Sequence, residues 1–105
     1  MNKIAFLNDA VRRTFSRGKI VMTAALAVLP EETLAHVLHR VQTFDEFSKD
    51  NDPYGEHDFG SFELGGENFF FKLDYYNKDM TAGSENPADP EQTTRLLTIG
   101  FMSDY

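Results

Sequence analysis

Residues 68–76, NFFFKLDYY, suit an extended strand far better than a helix. Phe69, Phe71, Leu73 and Tyr75 alternate with Phe70, Lys72, Asp74 and Tyr76, and this period of two puts the first set on one face, the candidate core face. Upstream, Phe59–Leu64 reads as a partner strand, and Gly65-Gly66 between the two runs is a tight-hairpin signal. A third run, Thr93–Met102, has Leu97, Ile99 and Phe101 on one face and Leu96, Thr98, Gly100 and Met102 on the other. A strand apolar on both faces belongs in the middle of its sheet.

The first half of the chain reads as mostly helical. Asn2 can cap a helix whose Ile4, Leu7, Val11 and Phe15 recur at helical spacing, and Gly18 offers a left-handed stop, so the helix is expected to end near Arg17. Lys19–Thr23, KIVMT, is short, apolar and β-branched, which predicts a buried strand; Ala24–Leu29 can follow as a helical turn. Pro30 suits the start of a second helix, with Glu31 and Glu32 complementing its dipole and Leu34, Val37, Leu38, Val41 and Phe44 as its inward stripe. That helix is expected to fade near Phe47. Residues 77–92 hold Pro87 and Pro90 and few apolar side chains, so they read as a long surface loop. The sum is one α+β domain over residues 1–105: two helices packed on one face of a small, mainly antiparallel sheet, a two-layer sandwich.

Cysteine is absent, so disulfides and thiolate metal sites are excluded, and the cytoplasm is the expected compartment. Arg12-Arg13-Thr14-Phe15 followed by the apolar run 20–29 loosely imitates a twin-arginine export signal. No small-residue cleavage site follows, and Leu29-Pro30-Glu31-Glu32 reads better as a helix start. The same run is too short to span a bilayer, so no membrane partner is expected.

Charge is divided unevenly. The chain carries −7 overall, yet residues 1–44 carry Lys3, Arg12, Arg13, Arg17, Lys19 and Arg40 against Asp9, Glu31 and Glu32, and the excess of acid lies entirely in the remainder. Its densest part is Asp45–Asp58, DEFSKDNDPYGEHD, directly before the aromatic strands. Free DNA or RNA is a poor ligand for such a surface, because phosphate binding needs clustered Lys and Arg. The expected partner is the basic surface of a protein or nucleoprotein complex, with no direct nucleic-acid contact.

Several blocks carry a family resemblance: LNDAVRRTF, KIVMTAAL, LPEE, DNDPYGEHDFGSFEL, FFFKLDYY and NPADPEQTTRLLTI. In them the chain resembles a domain of unknown function found in proteobacterial genomes and on mobile elements. The resemblance implies no activity. It does imply a mobile-element setting, in which small acidic proteins act as inhibitors of host defence complexes, anti-CRISPR and anti-restriction proteins among them.

The chemistry-bearing residues of the acidic block admit competing readings. Asp50, Asp52 and Gly55 match the first, third and sixth positions of an EF-hand loop, but Tyr54 and Ser61 fall where the fifth and twelfth ligands belong, so no metal is assigned. The plainer reading is an Asx-rich turn in which Asp50, Asn51 and Asp52 bond nearby backbone amides. His36 and His39, three residues apart on a helix, could share a metal, or could simply face solvent while His57 orders the loop by bonding to carboxylates. No Gly-rich phosphate loop and no G-x-S-x-G elbow is present, so no catalytic residue and no cofactor is assigned. The aromatic strand resembles nucleic-acid stacking strands in composition only, and core packing is its ordinary explanation. The favoured reading is a non-enzymatic acidic inhibitor from a mobile element that mimics nucleic-acid charge, with partner-binding residues Asp45, Glu46, Asp50, Asp52, Tyr54, Glu56 and Asp58. The alternative is a metal-assisted hydrolase or nuclease using Asp50, Asp52, Glu56, His57 and Asp58. A bland third possibility is an acidic face that only solubilises.

Overall fold

The computed structural model describes residues 2–105. Helix α1 (Lys3–Thr14) is followed by strand β1 (Lys19–Met22), the short helix α2 (Ala24–Ala27), helix α3 (Glu31–Thr43), strands β2 (Phe59–Leu64), β3 (Glu67–Tyr76) and β4 (Thr94–Phe101), and a closing 3-10 turn over Met102–Asp104. The four strands form one sheet in the order β1-β4-β3-β2. Only the β1–β4 pair is parallel; β2–β3 and β3–β4 are antiparallel. This is the expected α+β architecture, with the doubly apolar strand β4 at an inner position.

Register explains how the core closes. Phe71 pairs with Ile99, Leu73 with Leu97 and Phe69 with Phe101, so the inward sets of β3 and β4 lie side by side. Val11 of α1, Leu26 of α2 and Val37 and Val41 of α3 cover that face, and all of these side chains are buried. The β2–β3 hairpin turns through Gly65 and Gly66 at φ 62° and 83°, both left-handed, as a two-residue turn of this kind requires. On the opposite face Phe70 is buried against Phe59 and Tyr105.

Three sequence expectations are corrected. Helix α1 stops at Thr14, before Gly18, because Phe15 itself takes the left-handed conformation (φ 53°) and donates its N–H to the Val11 carbonyl at 2.8 Å, while its ring packs against the core. Strand β1 is not buried: it occupies a sheet edge, only Ile20 packs against the core, and Val21 and Met22 are exposed. Helix α3 ends at Thr43, because Phe44 turns to extended backbone and sends its ring into the core. No helix among the described residues is long and apolar enough to cross a membrane.

Close packing predicts one severe small change. A methyl group at Gly60 would overlap the Phe71 ring and lie 2.9 Å from the Phe44 ring. Gly60→Ala is therefore expected to destabilise the fold by about 1–3 kcal/mol, read as a lower urea midpoint with an unchanged denaturant slope.

A clamped acidic loop as the candidate functional site

Helix α1 turns a polar stripe inward. Asn8, Asp9 and Arg12 are buried on the same side as Ala5 and Val11, and Arg12 has no exposed surface at all. Its Nη2 meets the Asp9 carboxylate at 3.0 Å, and its Nη1 donates to the carbonyls of Val41 and Phe44, each at 2.8 Å. Those carbonyls lie at and just beyond the C-terminus of α3, where helix acceptors lack partners of their own. The guanidinium also lies 5.4 Å from the Phe47 ring centre and 5.3 Å from that of Phe71. One arginine thus ties α1, the end of α3, the start of the acidic loop and the sheet together. Burial pulls its pKa below the ordinary value, and Asp9 opposes that shift.

From there the loop is built residue by residue. The Phe47 ring lies edge-on to Phe44 and stacks on the His57 imidazole at 4.0 Å, nearly parallel. Asn51 accepts from the Ser48 amide and donates to the Glu46 carbonyl, closing the first turn. Asp52 faces inward and is buried; its two carboxylate oxygens accept the backbone N–H groups of Glu56 and His57 at 3.0 and 3.1 Å. That pair of bonds holds the loop's second turn, in which Gly55 and His57 have φ of 65° and 57°. His57 Nδ1 then meets both oxygens of Asp9, at 3.0 and 3.1 Å, while its Nε2 lies 3.9 Å from Asp52.

A second network sits beside the first. Asn8 donates to the Glu56 carbonyl and to the Tyr75 hydroxyl, and the hydroxyl donates to the Glu56 carboxylate at 2.8 Å. Burial pushes the Tyr75 phenol well above its usual pKa, with the neighbouring Glu56 adding to the effect, so the hydroxyl stays a donor. Arg95 of β4 donates from Nε to Asn8 Oδ1 at 2.7 Å and lies over the Tyr75 ring. Asn2, which caps α1 by accepting from the Ala5 amide, also donates to the Gly55 carbonyl at 2.9 Å.

The acidic block therefore divides into inward and outward groups. Asp45, Glu46 and Asp50 are exposed, and Tyr54 stands 83% exposed. Asp52 is an internal anchor, which corrects its expected place on an outward charged surface. Glu56 is half-buried and engaged by Tyr75. Asp58 is half-buried too, and its carboxyl pKa is raised, first by burial and then by Glu56, Asp52 and Asp74. The Asx-turn reading holds for Asn51 and Asp52, and His57 does order the loop through carboxylates. His36 and His39 are both exposed on α3. Among the described residues no three His, Asp or Glu side chains converge as a set that could hold a metal ion.

Asn8, Asp9 and Arg95 carry no site expectation from sequence, Arg12 enters there only through its likeness to an export signal, and Tyr75 only as a core-face residue of its strand that could also serve at an interface. Their signal is present but slight: Asn8 stands three residues before Val11 and four before Arg12, the spacings of one helical face, and Arg95 falls on the same strand face as Leu97 and Ile99. The fold and site define a class: a small α+β protein that presents an acidic loop fastened from within by buried polar side chains. The chain belongs to the family described as protein of unknown function (DUF3768), whose model matches residues 22–104. No curated protein and no solved structure matches it.

Two outcomes test this geometry. Arg12→Met strands Asp9 as a buried charge and should cost about 3–5 kcal/mol of stability, part of which Asp9→Asn in the same chain recovers; a urea titration showing equal stability for wild type and Arg12→Met would sink the clamp. Asp58 has a folded pKa above its unfolded one, so the stability it contributes is fully present below 3.8 and is lost as pH rises through the folded value. Asp58→Asn should therefore raise the unfolding midpoint at pH 7, relative to wild type, and leave it nearly unchanged at pH 3.

Proposed function

We propose that the protein is a non-enzymatic interaction module whose outward carboxylates, Asp45, Glu46 and Asp50, dock on a basic protein surface, with the exposed Tyr54 of the same loop as the aromatic anchor. One observation carries this reading: charge and a large aromatic ring are exposed on a loop whose backbone is fixed by buried side chains. A pre-shaped loop loses little conformational entropy on binding. Exposed carboxylates speed and orient encounter with a cationic partner, and a buried aromatic supplies most of the affinity.

The finer reading follows from the mobile-element setting of the family. The partner is then a nucleic-acid-handling complex of a host defence system, and the loop competes with nucleic acid for its basic groove, an anti-CRISPR or anti-restriction type of inhibition. The hydrolase alternative asks Glu56, His57 and Asp58 to aim at one reacting centre. In the fold, Glu56 turns to Tyr75 and His57 to Asp9, which supports docking over catalysis.

Affinity capture from a host lysate at low and high salt, with wild-type chain and an Asp45→Asn/Glu46→Gln/Asp50→Asn variant, tests the proposal. The expected result is a nucleic-acid-binding complex retained by wild type at low salt, released at high salt and lost with the triple variant. With the captured partner purified, each single neutralisation should cost about 0.2–1 kcal/mol of binding, and Tyr54→Ala about 2 kcal/mol or more. All-or-none loss of capture on Asp58→Ala alone, with the chain still folded, would overturn the distributed-charge reading.

A further inference from the structure

A second candidate site lies between α1 and the 77–92 loop, and its charge runs against that of the whole chain. The cavity has a volume of about 300 Å³, at the small end of ligand pockets. Leu7, Ala10 and Val11 give it an apolar wall, while Arg17, Lys78 and Arg95 reach it from the segment after α1, from the loop and from β4. No carboxylate is among its lining residues. In a protein of net charge −7 that is a marked local reversal.

Arg95 is the decisive member. It is only 4% exposed, yet its two hydrogen-bond partners are neutral: Asn8 Oδ1 accepts from Nε, and the Pro87 carbonyl accepts from Nη2. Among the described residues no carboxylate lies within ion-pair distance of this guanidinium, and Nη1 has no hydrogen-bond acceptor. Arg12, the other buried arginine, has Asp9. A buried cation without a direct ion pair is costly: burial pulls the Arg95 pKa down, and the charge of Glu56, beyond ion-pair distance, opposes that only in part. Arg17, at the rim, is held at a φ of 65°, a conformation that costs energy for a residue with a side chain.

We propose that this cavity binds a small organic anion, a carboxylate or phosphate group on an apolar body. Arg95 holds the oxyanion with the donors left free in its fork, Arg17 and Lys78 add charge at the exposed mouth, and the Leu7–Val11 wall covers the apolar part. The site uses none of the loop carboxylates assigned to partner docking, so either proposal can fail without the other.

The test is a titration of the ¹⁵N-labelled full chain with phenyl phosphate and with benzoate, using benzyl alcohol as the uncharged control and inorganic phosphate as the control without an apolar body. Saturable shifts at the amides of Leu7, Val11, Lys78 and Arg95 are expected for at least one aromatic anion, with a Kd lower than that of either control by about tenfold or more. The better of the two anions identifies the charged group. Arg17→Gln/Lys78→Gln, both at exposed positions, should weaken binding by about tenfold with the unfolding midpoint unchanged. The proposal is overturned if neither aromatic anion saturates, if benzyl alcohol binds as well (an apolar cleft alone), or if inorganic phosphate binds as well (anions adhering to exposed cations).

Discussion

The guanidinium of Arg12 touches every layer of the molecule: Asp9 on its own helix, two carbonyls at the end of α3, the Phe47 ring at the start of the acidic loop and the Phe71 ring on the sheet. A charge with no exposed surface has to be answered from within, and in this fold the partners of the guanidinium converge from three separate stretches of chain, with only Nε left without an acceptor among the described residues. Placing those partners fixes where α3 stops and where the loop begins. It also leaves Asp9 correctly oriented for His57, the next link in the chain of contacts.

The loop's shape then follows from a division of labour among its acids. Asp52 is spent on backbone amides and Glu56 on a tyrosine hydroxyl, so their charges lie inside. Asp45, Glu46 and Asp50 remain in water, where like charges repel only weakly and stay available to an external cation. Inward acids give the loop its form, and outward acids give it its field. A solvated tail of the same composition would carry the field without the form.

Asn8 joins this loop to the cationic cavity on the other side of the network. Its amide donates toward Glu56 and Tyr75 while its carbonyl oxygen accepts from Arg95, so one side chain is bonded to a member of each candidate site. The two sites are opposite in sign, and each shares the helix α1 framework. The acidic block dominates the sequence because its charges are contiguous; the cavity stays hidden in it because Arg17, Lys78 and Arg95 are far apart along the chain.

Alternation alone determined the sheet strands and the hairpin, since a period of two in Phe69–Tyr76 and in Leu96–Met102 has only one geometric solution. Helical spacing and the Asn2 and Pro30 starts likewise determined α1 and α3 to within a few residues. The α+β layering followed from those elements, and the acidic block was legible as a surface because its charges are too dense to bury together. Tertiary structure decided the rest. Arg12 and Arg13 are neighbours of the same type in sequence, and only packing against α3 and Phe47 sends the first inside and leaves the second in solvent. Asp52 and Asp50 differ by two positions, and only the path of the backbone after Gly55 brings amides to one carboxylate and leaves the other bare of them. Edge placement of β1 depended on β4 pairing with β3, a contact between distant segments that no local pattern encodes. Local periodicity is written in the chain because it depends on near neighbours; the burial of a charge depends on partners many residues away, and those are assembled only by the fold.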